Sequence, residues 1–224
     1  MQHPKAGILI ALLLLLLLLA SETPACPGAA ASPPGQWATL MSEDFEGAFP
    51  HGLWHIGKEG APYLWGRRDC NPHGGRYSLW GNGGGSLGSQ IACSGQYPAN
   101  YVTTLSYGPL DLSDVAALRL SFAHWTWLGA GDSLGVGWSN DGGKTWVVLP
   151  IYGNAVSICG GWCAESFDQD RWTLPLAGQP KVYLLFRFAS NATGVGYGSF
   201  LDDVSLEVMY GGALRSVYLP LVRR

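Results

Sequence analysis

Val182-Tyr183-Leu184-Leu185-Phe186-Arg187-Phe188 sets apolar residues at 182, 184, 186 and 188 against Tyr183, Leu185 and Arg187 between them. A period of two gives each set its own face of a β-strand, because successive side chains on a pleated backbone point to opposite sides. The same period recurs in Leu118, Leu120 and Phe122, which alternate with Arg119 and Ser121, and in Leu134, Val136 and Trp138. The runs end in Gly, Asn, Asp or Pro, and 32 glycines and 14 prolines punctuate the 224 residues. Helical periodicity is almost absent. Many short strands joined by turns predict an all-β fold, an antiparallel jelly-roll β-sandwich in a single domain.

The chain divides into four parts. Lys5 precedes an apolar run from Ile8 to Ala20 that holds eight consecutive leucines, and Ser21-Glu22-Thr23-Pro24-Ala25 then offers a small residue for cleavage. At about 13 residues this run is shorter than the roughly 20 that cross a bilayer, so residues 1–25 read as a signal peptide. Residues 26–36, rich in Pro, Ala and Gly, read as a linker. Residues 37–209 are long enough for one domain with a substantial core. Residues 210–224 form a tail whose apolar end, Val217 to Arg224, reads equally as a sorting tag or an added edge strand. The mature chain is expected to be secreted or held at the cell surface, with no integral membrane span. The fate of Cys26, whether cleaved, lipidated or free, stays open.

A formal charge of −3, with no Lys/Arg cluster inside the domain, excludes a nucleic-acid partner. An extracellular protein or a glycan is the expected partner class.

Ser139-Asn140-Asp141-Gly142-Gly143-Lys144-Thr145-Trp146 can be read residue by residue. An Asp in such a turn accepts hydrogen bonds from turn amides, and glycine supplies positive φ. The stretch resembles the Asp-box hairpin of sialidases at Ser139, Asp141, Gly143, Thr145 and Trp146, which implies a structural turn with Trp146 packed beneath it. Four cysteines lie inside the domain, and export makes disulfides their default state. Cys159 with Cys163 closes a tight loop through two glycines, and Cys70 with Cys93 closes a Gly-rich excursion. A four-thiolate zinc site would need Cys-x-x-Cys-like spacing that Cys70 and Cys93 lack.

Enzyme motifs do not survive their context. Gly84-Gly85-Ser86-Leu87-Gly88 has the Gly-x-Ser-x-Gly pattern, but its flanks read as a flexible loop rather than the strand, turn and helix of a nucleophile elbow. His51 and His55 sit four apart beside Pro50 and Gly52 with no His-Glu-x-x-His, and read as loop histidines. No pair of glycosidase carboxylates can be picked out. The expectation is a non-catalytic module.

Acidic patches bracket the domain: Glu43-Asp44-Phe45-Glu46 at its start and Asp202-Asp203 at its end. Strand parity gives Asp202 the face of Val204 and Leu206, pointing inward, where an unpaired carboxylate is expensive. A cation, calcium above all, would tie the two ends together. Glu46 and Asp202 are the first candidate ligands, and Asp44 and Asp203 the weaker ones. The competing reading is that these carboxylates cap loops through backbone amides.

The order Asp44-Phe45-Glu46-Gly47, Phe49-Pro50, Trp54, a Gly-Pro-Leu-Asp-Leu-Ser strand entry at 108–113, the Asp-Gly-Gly hairpin and Asp202-Asp203-Val204 resembles the MAM-type jelly rolls. Similar accessory modules are appended to immune-inhibitor-A-like metallopeptidases of bacteria. The resemblance implies a structural calcium or sodium ion held by an early Glu and a late Asp, matching Glu46 and Asp202. The cysteine pattern departs from that of animal MAM domains, so adhesion and dimerisation are not carried over.

A carbohydrate-binding module is the main alternative. Trp125 and Trp127 fall on the face opposite Leu118, Leu120 and Phe122, and Tyr183 and Arg187 fall on a similar outward face. Outward tryptophans give flat platforms for pyranose rings. High average Trp burial favours the expectation that Trp125 and Trp127 belong to the core.

Overall fold

A computed structural model of the chain describes residues 35–57, 60–153, 160–168 and 175–211. The expected signal peptide, Cys26, most of the linker, Cys159 and nearly all of the tail lie outside the described residues. Among the described residues the fold is two antiparallel sheets with one helical turn. The elements are β1 (Trp37–Glu43), β2 (Trp54–Ile56), β3 (Leu64–Arg68), β4 (Ser78–Gly84), α1 (Gly85–Gly88), β5 (Val102–Leu110), β6 (Val115–Trp127), β7 (Ser133–Ser139), β8 (Val147–Gly153), β9 (Cys163–Asp168), β10 (Val182–Ala189) and β11 (Gly198–Tyr210).

One sheet runs β3-β4-β11-β6-β9 with β1 also paired to β11, and the other runs β2-β5-β10-β7-β8. From β4 onward the chain passes back and forth between the sheets except at the β7–β8 hairpin, giving the expected jelly-roll sandwich. The three alternating runs of the sequence form the middle of β6, β7 and β10. Their core sets, including Leu118, Leu120, Phe122, Leu134, Val136, Phe186 and Phe188, meet between the sheets. Phe122 meets Phe186 edge-on at 5.0 Å and stacks on Phe167 at 5.7 Å. Each fully buried Phe contributes about 1.5–3 kcal/mol over leaving it exposed.

Three local readings are corrected. Residues 81–84 continue β4, Gly85 turns the chain at φ 81°, and α1 follows, so the Gly-x-Ser-x-Gly pattern does sit on a strand, turn and short helix. The helix is one turn long because glycines occupy both its ends. His55 lies on β2 opposite Ser106, not in a loop. At residues 108–113, Gly108 to Leu110 close β5, and the next strand opens only at Val115.

Candidate functional site

From Leu118 onward β6 turns its even-numbered residues toward the other sheet and its odd ones outward. Trp125 and Trp127 therefore stand on the outer face, opposite Phe200 and Gly198 of β11. The expectation that both are core is corrected: Trp127 is 41% exposed, and Trp125 is half-buried against Phe200 at 5.6 Å. The reason is that only the loop around Cys70 and Cys93 packs over this end of the sheet's outer face among the described residues, and it reaches Trp125 more than Trp127. Tyr197 completes the group, its ring 5.6 Å from Trp127 and 6.4 Å from Trp125.

The corner is held from behind. Phe200 stacks on Trp80 at 5.1 Å, and Trp80 Nε1 donates to the Tyr197 carbonyl at 2.7 Å. Cys70 joins them in a small second cluster on this face, and its disulfide to Cys93, as expected, fixes the overlying loop. The 191–197 loop is pinned by Asp132, which accepts from the Tyr97 hydroxyl and from Asn191 N at 2.7 Å. Burial and that carboxylate push the Tyr97 phenol far above its ordinary range, so it stays a donor.

These pieces frame an open pocket of about 210 Å³ lined by Asn71, Cys93, Ser94, Trp125, Tyr197 and Phe200. It is small beside the roughly 300–1,000 Å³ typical of pockets for drug-sized ligands, so it suits one ring at the surface rather than an engulfed chain. Among the described residues the lining carries no carboxylate and no imidazole. It can stack and hydrogen-bond a ligand, but supplies no acid–base pair.

The acidic bookends meet the loop after β3. Asp202 is 1% exposed, yet it does not share a face with Val204 and Leu206. It pairs with Ala123, on the outer side, because an irregularity at Asp203, whose φ is 48°, inserts a residue before Ser205. Loop 70–77 covers it: Asp202 accepts from His73 N at 2.9 Å, Gly74 N at 3.3 Å and Asp203 N at 2.9 Å. Burial raises its pKa against those bonds. Asp203 meets His73 Nδ1 at 2.6 Å, Glu46 Oε1 accepts from Arg76 N at 2.9 Å and Tyr77 N at 2.8 Å, and Asp44 accepts from Glu46 N at 3.1 Å. Glu43 is buried, accepts from Phe45 N at 2.8 Å and meets His51 Nε2 at 2.7 Å, a pairing that sequence reasoning missed.

Calcium takes six to eight oxygens. Among the described residues no three of these carboxylates bring oxygens within 4.8 Å of one another, so any shell would need backbone carbonyls and water. In favour of a cation, no Lys or Arg pairs with buried Asp202 among the described residues. The oxygens of Glu46 and Asp202 accept from backbone amides, as loop caps do. A convergence of Asp69 with Cys70 and Cys93 is no metal site, because both sulfurs are in the disulfide.

The Asp-box turn forms as expected. Asp141 accepts from Lys144 N at 3.0 Å, Thr145 N at 3.1 Å and Thr145 Oγ1 at 2.6 Å, while Ser139 Oγ accepts from Gly143 N at 2.8 Å. These bonds hold its carboxyl well below the usual range. Trp146 departs from expectation: it is 37% exposed beside Tyr183 rather than packed beneath the turn. Cys163 is disulfide-bonded, and its expected partner Cys159 lies outside the described residues. Ser86 is exposed on α1, and no His or acid pairs with its hydroxyl among the described residues.

No family model and no curated protein matches the chain. Solved structures with a similar course include the CBM22-1 xylan-binding domain of Paenibacillus barcinonensis Xyn10C, at 15% identity over 78% of this chain and 96% of that one, TM-score 0.46. The K1 cleaved adhesin domain of Lys-gingipain from Porphyromonas gingivalis W83 matches at 17% identity over 77% of this chain and 98% of that one, TM-score 0.46. TmCBM61 in complex with beta-1,4-galactotriose matches at 14% identity over 68% of this chain and 86% of that one, TM-score 0.41. At such identities and scores the likeness carries no argument about ligand or partner.

Proposed function

We propose that this chain is an exported, non-catalytic glycan-binding module whose binding seat is the aromatic corner of Trp125, Trp127 and Tyr197. The observation that carries the reading is the exposure of Trp127 beside a pocket walled by Trp125 and Tyr197. Burying large rings is the default, so rings held outward on a rigid strand are arranged for contact. An aromatic face matches the C–H face of a sugar ring, while Asn71 and Ser94 offer hydrogen bonds to its hydroxyls. The lining without carboxylate or imidazole supports binding without catalysis.

Export rests on the leader-like residues 1–25 and on two cysteine pairs that suit an oxidising compartment. A structural calcium ion at the corner of Glu46 and Asp202, with Asp44 and Asp203 beside them, is part of the proposal. The ion would supply the positive charge that buried Asp202 lacks. Affinity electrophoresis in soluble neutral polysaccharides tests the main reading: the wild type is retarded in at least one gel, and Trp127→Ala is not.

A further inference from the structure

The outer face of the second sheet carries another recess, on the opposite side of the sandwich. Strand register builds it in rows. His55, Ser106, Leu185, Gly137 and Val148 face one another in turn across β2, β5, β10, β7 and β8. The next row runs Thr104, Arg187, Gly135 and Pro150. The two glycines keep the floor low: a Cβ at Gly135 or Gly137 would stand 2.7 or 3.1 Å from the Val148 side chain, which lies over them. Trp146 rises at one side, 37% exposed. The resulting pocket of about 270 Å³ is lined by Thr104, Ser106, Trp146, Val148, Leu185 and Arg187.

Among the described residues Arg187 is the only charged side chain of that lining. It has no hydrogen bond and no ion pair among the described residues. Other arginines are engaged: Arg67 donates to Phe45 and Glu46 carbonyls, Arg68 to Gly83, Gly88, Ser89 and Ile91 carbonyls, and Arg119 pairs with Glu207. A planar guanidinium left half-buried in a recess is suited to a two-pronged bond to a carboxylate. Trp146 adds a face for a ring, and Thr104 and Ser106 add hydroxyls that both donate and accept.

We infer that this recess is a second ligand site, for a saccharide bearing a carboxylate, a hexuronic acid residue. Arg187 takes the carboxylate, Trp146 the ring, and Thr104 and Ser106 the ring hydroxyls. The site does not depend on the aromatic corner.

Isothermal titration of the full chain with trigalacturonate, its methyl ester and dextran sulfate tests it. Trigalacturonate binds the wild type, the ester binds at least tenfold more weakly, and dextran sulfate does not compete. Arg187→Gln and Trp146→Ala each lose tenfold or more, and Arg187→Lys, which keeps the charge but not the fork, falls between wild type and Arg187→Gln. Because Arg187 has no polar partner among the described residues, Arg187→Gln keeps the wild-type melting temperature. Should that variant not fold, Arg187→Lys and the ester comparison carry the test. The double variant Trp125→Ala/Trp127→Ala binds trigalacturonate as the wild type does. The inference is overturned if trigalacturonate does not bind the wild type, if the ester or dextran sulfate binds as well, if Arg187→Gln binds unchanged, or if the double variant loses binding.

Discussion

Asp202 accepts a 2.9 Å hydrogen bond from the backbone N–H of His73, 129 residues earlier, and so fastens the last strand to the loop after β3. Glu46, just past the first strand, accepts from Arg76 and Tyr77 of the same loop. Both ends of the domain are therefore locked to one loop, and the proposed calcium ion would sit where that lock carries uncompensated negative charge.

A ligand that binds only the folded state at about 100 times its Kd adds roughly 2.7 kcal/mol, or about 5–10 °C for a domain of this size. Chelator is expected to lower the melting temperature of the wild type by such an amount. Asp202→Asn lowers it in calcium and removes the response to chelator. A wild type indifferent to chelator would leave the lock to the amides alone.

His124, fully buried on β6, meets Thr126 Oγ1 at 3.0 Å and Glu165 Oε1 at 3.7 Å. Burial pulls its pKa below 6.5 and Glu165 opposes that pull. The unfolded chain then takes up the proton first as pH falls. The stability tied to neutral His124 is full above pH 6.5 and is lost progressively between 6.5 and the lowered folded value. Melting curves from pH 8 to 5 should show the advantage of the wild type over His124→Gln shrinking below 6.5. An advantage constant across that range would contradict a neutral buried imidazole.

Asp141 loses its contribution in the same direction but at lower pH. Its carboxyl is held low by Thr145 first and by Ser139 and Lys144 after it, so the stability it contributes is full above 3.8 and lost as pH falls through the folded value. Asp141→Ala is expected to lower the melting temperature at pH 7, with a smaller gap at pH 3. An unchanged melting temperature at pH 7 would mean that the turn does not depend on its carboxylate.

The Cys70–Cys93 bridge closes a separation of 23 residues, which the chain-entropy relation converts to about 3 kcal/mol. The double change Cys70→Ser/Cys93→Ser should lower the melting temperature by roughly 6–12 °C. It should also weaken glycan retention, because Cys93 lines the aromatic pocket. Retention unchanged in a stable double variant would show that the loop plays no part in the seat.

The strands, the Asp-box turn and the Cys70–Cys93 bridge were legible because period-two patterning, turn chemistry and loop closure are local. Asp202 was misread because parity carries through a strand only while the register holds, and a non-glycine residue at positive φ, Asp203, breaks it without a sequence signal. Alternation on β6 separated Trp125 and Trp127 from the core set, but it does not say which face another layer covers. The second recess depends on β7 lying between β10 and β8, a non-local fact. Its traces were present all the same: Gly135 and Gly137 alternate with Leu134, Val136 and Trp138, and Arg187 is the one charge on an otherwise uncharged strand.

On the proposed reading Trp125 and Trp127 are a ligand platform rather than core. The most direct measurement is affinity electrophoresis of the wild type and Trp125→Ala/Trp127→Ala across a panel of neutral polysaccharides, with a melting curve for each protein. The wild type is expected to be retarded in at least one gel, and the double variant to run as in a gel without polysaccharide while melting within a few degrees of the wild type. Loss of about 3–5 kcal/mol per tryptophan, the cost of emptying a core site, or retardation unchanged by the double substitution, would contradict that reading.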